Sequence, residues 1–194
     1  DMRHLLVRYI DHLLRQALGH QPIRVVLAHQ FPVEQVAFSP DGKRVSFLTE
    51  ITGVPQVWTV SVFGGWPNQV TFHEERIQMA QYSPIDNKIL FGMDTGGDER
   101  QQLSLITDDG ETIRTLTRSP DVIHTFGAWS PDAKHISVAS NSRQQAFFDI
   151  YLINLETAES RLVYQQDGNN FPVAWSPDGR YLVISHSDSN LYNN

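Results

Sequence analysis

One short unit, Ser-Pro followed by an Asp or its substitute and preceded by an aromatic residue, returns four times and constrains the fold more than any other feature of the chain. The four copies align without gaps: Val36-Ala37-Phe38-Ser39-Pro40-Asp41-Gly42, Ala80-Gln81-Tyr82-Ser83-Pro84-Ile85-Asp86, Gly127-Ala128-Trp129-Ser130-Pro131-Asp132-Ala133 and Val173-Ala174-Trp175-Ser176-Pro177-Asp178-Gly179. The serines at 39, 83, 130 and 176 are spaced by 44, 47 and 46 residues. Six and eight positions after each serine stand apolar pairs: Val45 and Phe47, Ile89 and Phe91, Ile136 and Val138, Leu182 and Ile184. Apolar residues two apart on both sides of a turn are the pattern of antiparallel strands. A period of this size marks an array of supersecondary units, none of which buries its apolar face alone.

The turn has a mechanism. Proline presets φ at its second position, Asp bonds the local backbone, and Gly accepts positive φ. Asp86 and Ala133 replace Gly in the second and third copies, so those copies require another turn or a cost of about 1 kcal/mol. A third strand recurs at 56–60, 102–106 and 149–153, and a fourth at 68–72, 112–117 and 160–164. Four short antiparallel strands in roughly 40 to 50 residues make a propeller blade. No Trp is followed by Asp, and the Gly pairs 64/65 and 96/97 lie off the repeat period, which disfavours WD40 and kelch arrays. The expected fold is therefore all-β, a partial β-propeller of four-stranded antiparallel blades over 21–194, with repeats near 36–72, 80–117, 127–164 and 173–194. It comprises about three whole blades flanked by partial ones. Ile23 to Leu27 reads as an outer strand of a further blade, and residues 1–20 as an amphipathic helix with Leu6, Ile10, Leu13, Leu14 and Ala17 on one face. A seven-blade ring needs on the order of 320 residues, so the expectation is a piece of a longer protein, its ring closed by strands that follow Asn194.

Composition narrows the function. The 194 residues are 40% hydrophobic and 19% charged, enough apolar material for a core. With 22 acidic against 15 basic residues, a formal charge of -7 and no basic cluster, a nucleic-acid partner is not expected. No run approaches the ~20 apolar residues of a membrane span, so no membrane partner is expected either. Cysteine is absent, which removes disulfides and thiolate chemistry and fits a reducing, cytoplasmic location. The start at Asp1 suggests a trimmed or processed end.

Candidate chemistry is sparse. The eight histidines do not cluster, and His73-Glu74-Glu75-Arg76-Ile77 lacks the second His of a helical zinc motif. There is no Gly-x-Ser-x-Gly nucleophile turn. No catalytic, cofactor-binding or metal-binding residue is assigned. Asp94-Thr95-Gly96-Gly97-Asp98-Glu99 is open to three readings: a plain hairpin tip, a calcium loop without the usual ligand spacing, or a functional contact. Glu74 and Glu75 are read as solvated carboxylates. Phe38, Tyr82, Trp129 and Trp175 form an aromatic column by repeat position and are expected in the core. An open array also exposes strand edges, so self-association is expected.

Ser-Pro-Asp-Gly followed by an alternating strand resembles the TolB-type propellers and the propellers of prolyl oligopeptidase family serine peptidases. Two further segments, Thr52 to Trp58 running on to Gly64-Gly65-Trp66-Pro67-Asn68-Gln69-Val70-Thr71, and Asp94 to Leu103, resemble the early blades of the acylaminoacyl-peptidase-like branch. The resemblance covers residues 20 to 194, and the leading helix suits it. It implies a propeller capping a C-terminal α/β-hydrolase domain that carries Ser, Asp and His, and admitting short or N-acylated peptides. None of those catalytic residues lies in this chain, so the implied role is noncatalytic gating. Glu99 matches the place where the resembling family turns a glutamate toward the hydrolase domain, and Asp94 and Asp98 join it as candidate domain-interface or substrate-gating residues. The alternative is a TolB-like scaffold for protein partners.

Overall fold

The computed structural model describes residues 31–188; the helix expected over 1–20, the strand at Ile23 to Leu27 and the last six residues lie outside that range. Blade 1 comprises β1 (Val33–Phe38), β2 (Arg44–Thr49), β3 (Gln56–Ser61) and β4 (Asn68–Gln69). Blade 2 comprises β5 (Ile77–Tyr82), β6 (Lys88–Met93), β7 (Gln102–Thr107) and β8 (Ile113–Thr115). Blade 3 comprises β9 (His124–Trp129), β10 (His135–Gln144), β11 (Phe147–Asn154) and β12 (Ser160–Tyr164). A fourth unit holds β13 (Asn169–Trp175) and β14 (Leu182–Ser187). Within each blade the strands pair antiparallel in chain order. A single parallel pair, Phe148 with Asn169, joins β11 to β13. The described residues contain no helix.

The second strand of each blade is covered on both faces, which is why β2 and β6 are buried almost throughout and carry apolar residues at successive positions. Even offsets from the serine face one neighbour and odd offsets the other, because side chains alternate across a strand. Blades 1 and 2 meet through Leu48, Val57 and Val70 on one side and Ile77, Ala80, Tyr82, Ile89 and Phe91 on the other. Blades 2 and 3 meet through Leu90, Leu103, Leu105 and Leu116 against Phe126, Ile136, Val138 and Ile153.

The aromatic column is uneven. Tyr82 is buried in the first joint, Trp129 is half-buried against the second, and Trp175 is half-buried. Phe38 departs from the expected core position, being 44% exposed. Tyr82 and Trp129 pack on the blade that precedes their own, and among the described residues no blade precedes that of Phe38. At the other end of the array Phe171, Val173, Tyr181 and Val183 are likewise exposed.

Candidate functional site

The two ends of every blade differ. One end carries the Ser-Pro turns. At the other, hairpins join the second strand to the third, and the inner strands begin.

In blade 2 that hairpin is the segment 94–101 between β6 and β7. Gly96 and Gly97 both take left-handed φ (64° and 73°), which turns the chain without a Cβ clash. Asp94 is 4% exposed, and its Oδ2 accepts hydrogen bonds from Gln78 Nε2 (3.0 Å) and from the Glu99 N–H (3.1 Å). The second bond holds Glu99 at φ 60°, a region that an L residue enters at roughly 1 kcal/mol or more. Asp98 Oδ1 accepts the Arg100 N–H at 2.9 Å, and Glu75 Oε1 accepts the Gly96 N–H at 2.9 Å. The neighbouring cation, Arg100, points away to the Pro120 carbonyl (3.2 Å) and Asp121 (3.3 Å). The hairpin is thus tied down by its backbone and by Asp94, while the Glu99 carboxylate stands exposed with no ion-pair partner among the described residues.

In blade 3 the same place is built differently. Asp149, wholly buried, accepts Arg143 Nε at 2.6 Å and Arg143 NH2 at 3.2 Å, and Asp167 accepts a third bond from Arg143 at 3.0 Å. Two hydrogen bonds from one guanidinium to one carboxylate fix both groups. The Asp149 bonds first, and the Asp167 bond after them, raise the Arg143 pKa above its already high ordinary value. The guanidinium also sits 5.4 Å from the centre of the Phe147 ring. By strand register Asp149 occupies the position of Gln56 and Gln102: Thr49 pairs with Gln56, Met93 with Gln102 and Ser140 with Asp149. Those glutamines sew each blade to the segment that leads onward, Gln56 through His73 and Glu75, Gln102 through Ser119 and Val122. Asp149 does the same through the Gln166 N–H (3.3 Å) and recruits Arg143 for the charge. Motif reading missed this ion pair, though aligning the third-strand starts exposes an Asp where two blades carry Gln.

Glu74 is exposed and Glu75 is half-buried on the hairpin. Among the described residues no group of three or more His, Asp or Glu is placed to hold a metal. Of the histidines, His186 bonds Asn170 Oδ1 through Nδ1 at 2.7 Å, while His124 is buried.

No protein-family model matches the chain. By sequence it is 36% identical to the Tol-Pal system protein TolB of Alcanivorax borkumensis over 86 residues, 44% of this chain and 19% of that protein. It is 29% identical to dipeptidyl aminopeptidase BIII of Pseudoxanthomonas mexicana over 141 residues, 68% of this chain and 20% of that protein. The chain thus spans about a fifth of the length of these relatives. By structure it superimposes on a putative TolB from Agrobacterium tumefaciens with a TM-score of 0.65 at 23% identity, covering 86% of this chain and 58% of that one. An acylaminoacyl peptidase structure gives a TM-score of 0.60 at 13% identity, covering 81% of this chain and 29% of that one. Blades, turns and these likenesses together define a TolB-like β-propeller fold. Within that fold the chain is similar in sequence both to a TolB protein and to a dipeptidyl aminopeptidase, and similar in structure to a putative TolB and to an acylaminoacyl peptidase.

Proposed function

We propose that the chain is the noncatalytic propeller part of a serine peptidase, gating short or N-acylated peptides on their way to a C-terminal α/β-hydrolase domain. The carrying observation is Glu99: an exposed carboxylate, without an ion-pair partner among the described residues, on a hairpin whose backbone is fixed by a buried Asp94. A charge held in place before its partner arrives loses little conformational freedom on pairing, and pairing at a partly desolvated interface is stronger than on open surface. Asp94 and Asp98 act by holding that tip. The breadth of the sequence match supports the reading, since the peptidase alignment runs over 68% of the chain and the TolB alignment over 44%. The accompanying location is the cytoplasm.

The higher identity to TolB, 36%, favours a second reading, a scaffold that binds protein partners. Extending the gene sequence past Asn194 separates the two. A Gly-x-Ser-x-Gly motif some hundreds of residues downstream supports the peptidase, and a stop soon after ring closure supports the scaffold. In the full-length protein Glu99→Gln is expected to alter peptide kinetics while the purified 194-residue chain remains unlabelled by serine-directed phosphonates; labelling of the chain overturns the noncatalytic assignment.

A further inference from the structure

His124 opens β9, and its surroundings contain an unmet demand. It is 8% exposed, and among the described residues neither Nδ1 nor Nε2 has a hydrogen-bond partner. A neutral imidazole always carries one N–H donor and one bare acceptor, so two polar groups lie buried without partners. Orphaned buried groups are costly and rare in native proteins.

Its repeat position shows what the residue does. Six residues before each serine stand Val33, Ile77, His124 and Asn170, and in the last three this position ties the inner strand to the blade before it. The Ile77 N–H donates to the Pro55 carbonyl (2.8 Å), the His124 N–H to the Gln101 carbonyl (3.0 Å), and Asn170 Nδ2 to the Phe148 carbonyl (2.7 Å). In the first joint the side chain is apolar and 1% exposed. In the third, Asn170 is satisfied on both sides, through the Phe148 and Gln166 carbonyls and His186. Among the described joints, the one between blades 2 and 3 alone places a titratable ring there. We propose that His124 is a proton-triggered latch on that joint: the neutral ring lets blade 3 close on blade 2, and protonation opens the inner-strand tie.

Among the described residues no carboxylate pairs with the His124 ring. Ser140, paired across from His124, accepts the Ser142 N–H through Oγ, and Asn141 Oδ1 is taken by the Ile123 N–H. β7 and β13, which pack on β9, carry no titratable side chain. β10 carries His135 at its far end and Arg143, which is bound to Asp149 of β11 and to Asp167. Arg100 is paired with Asp121 in the preceding loop, and His186 faces Asn170 in the fourth unit. Burial alone lowers the His124 pKa from 6.5 to about 4. The sign follows: between those values the unfolded or opened chain binds the proton and the closed one does not. Stability is therefore fully present above pH 6.5 and is lost as the pH falls toward 4.

The test is a ring-proton NMR titration of the 194-residue chain, with hydrogen exchange at pH 7 and pH 5 corrected for intrinsic rates. The His124 ring should titrate near pH 4 while the chain stays folded. The closing equilibrium should weaken ~20-fold from pH 7 to 5, with amides of Phe126 to Trp129 losing protection ahead of those in β5. His124→Ile, which installs the residue of the first joint, should abolish that extra pH dependence. If it does not fold, His124→Asn serves the same comparison. A His124 pKa at or above 6.5, or the same pH dependence in the variant, overturns the latch.

Discussion

The Ser-Pro end of the array and its hairpin end are made from the same strands and behave as opposites. Three of the four Ser-Pro turns share one bonding pattern. The Gly42, Ala133 and Gly179 N–H groups each donate to the carbonyl of their serine at 2.8 to 2.9 Å. Each serine hydroxyl donates to its Asp at 2.6 to 2.7 Å and accepts the N–H five residues on at 2.9 to 3.0 Å. The serine hydroxyl bond, and after it a backbone N–H, hold Asp41, Asp132 and Asp178 below the ordinary carboxylate pKa. Behind the shared tie made by Gln56, Gln102 and Asp149, the hairpin tips have no common pattern: an acidic left-handed tip in blade 2, and in blade 3 an exposed Arg143 bound to the buried Asp149. Turns repeat because each solves the same backbone problem, a reversal whose N–H groups must be met. Hairpins diverge because past the last strand pair no shared constraint remains, and what they present is free to serve contacts outside the blade.

Breaking the hairpin end at its most buried point should cost most. Asp149→Ala removes a wholly buried carboxylate that accepts two bonds from Arg143 and one from Gln166. A loss of about 3 kcal/mol is expected in urea unfolding, since bonds to charged groups contribute ~1.5 to 3 kcal/mol each before relaxation. A loss under about 1 kcal/mol means that the segment 164–167 re-bonds without it.

At the Ser-Pro end, Ser130→Ala should cost less, about 1 to 2 kcal/mol, by leaving the His135 N–H without its acceptor. Blade 2 shows the weakened state natively: there the Ser83 hydroxyl accepts only two long bonds, both 3.4 Å, and Asp86 turns to Lys88 instead. The pH dependence separates this turn from the His124 joint. The Asp132 pKa lies below its ordinary 3.8 in the folded chain, so its contribution is present above that value and is lost as the pH falls through the folded one. The difference between parent and variant should therefore narrow only in strong acid, where the Ser130–Asp132 bond is lost, below the range in which His124 acts, and the part due to the His135 N–H should persist.

The smaller effect of opposite sign is expected at Ala133, which keeps the shared turn at φ 48° without being glycine. Ala133→Gly should stabilise by roughly 0.5 to 1 kcal/mol, read as a raised Tm. No gain means that the unfolded-state entropy of glycine offsets the relieved strain.

The repeat made most of this fold legible, because period-two apolar spacing and Ser-Pro-Asp-Gly report on strands and turns through local chemistry alone. It also flagged Ala133 and Asp86, which resolved in opposite ways, one keeping the shared turn with strain and the other changing it. Phe38 was not legible as exposed, since its burial depends on a neighbouring blade and not on its own segment. Asp149 with Arg143, and the unpartnered His124 ring, were missed for a related reason. Their partners or their isolation are set by strands that register brings together, as when Ser140 pairs with His124 on one side and Asp149 on the other. Glu99 was singled out by its acidic Gly-rich segment, but its left-handed backbone and its tether to Asp94 emerge only from the hairpin's geometry.

Glu99 is also where the comparison is sharpest, because there the expected effect on the chain is smallest. Its side chain is exposed and its N–H, not its carboxylate, makes the bond to Asp94. Glu99→Gln keeps the backbone bond, the side-chain length and the left-handed φ, and removes only the charge. Unfolding of the 194-residue chain should therefore shift by no more than about 0.5 kcal/mol, as for exposed substitutions that break no structural feature. A larger loss would place the carboxylate in the hairpin's own structure and remove it from the interface. The same substitution in the full-length protein should leave Tm unchanged and alter kcat/KM, with the change shrinking as salt is raised, since an ion pair between domains is screened. Unchanged kinetics at every ionic strength would reduce the hairpin to a plain turn, however well Asp94 holds it.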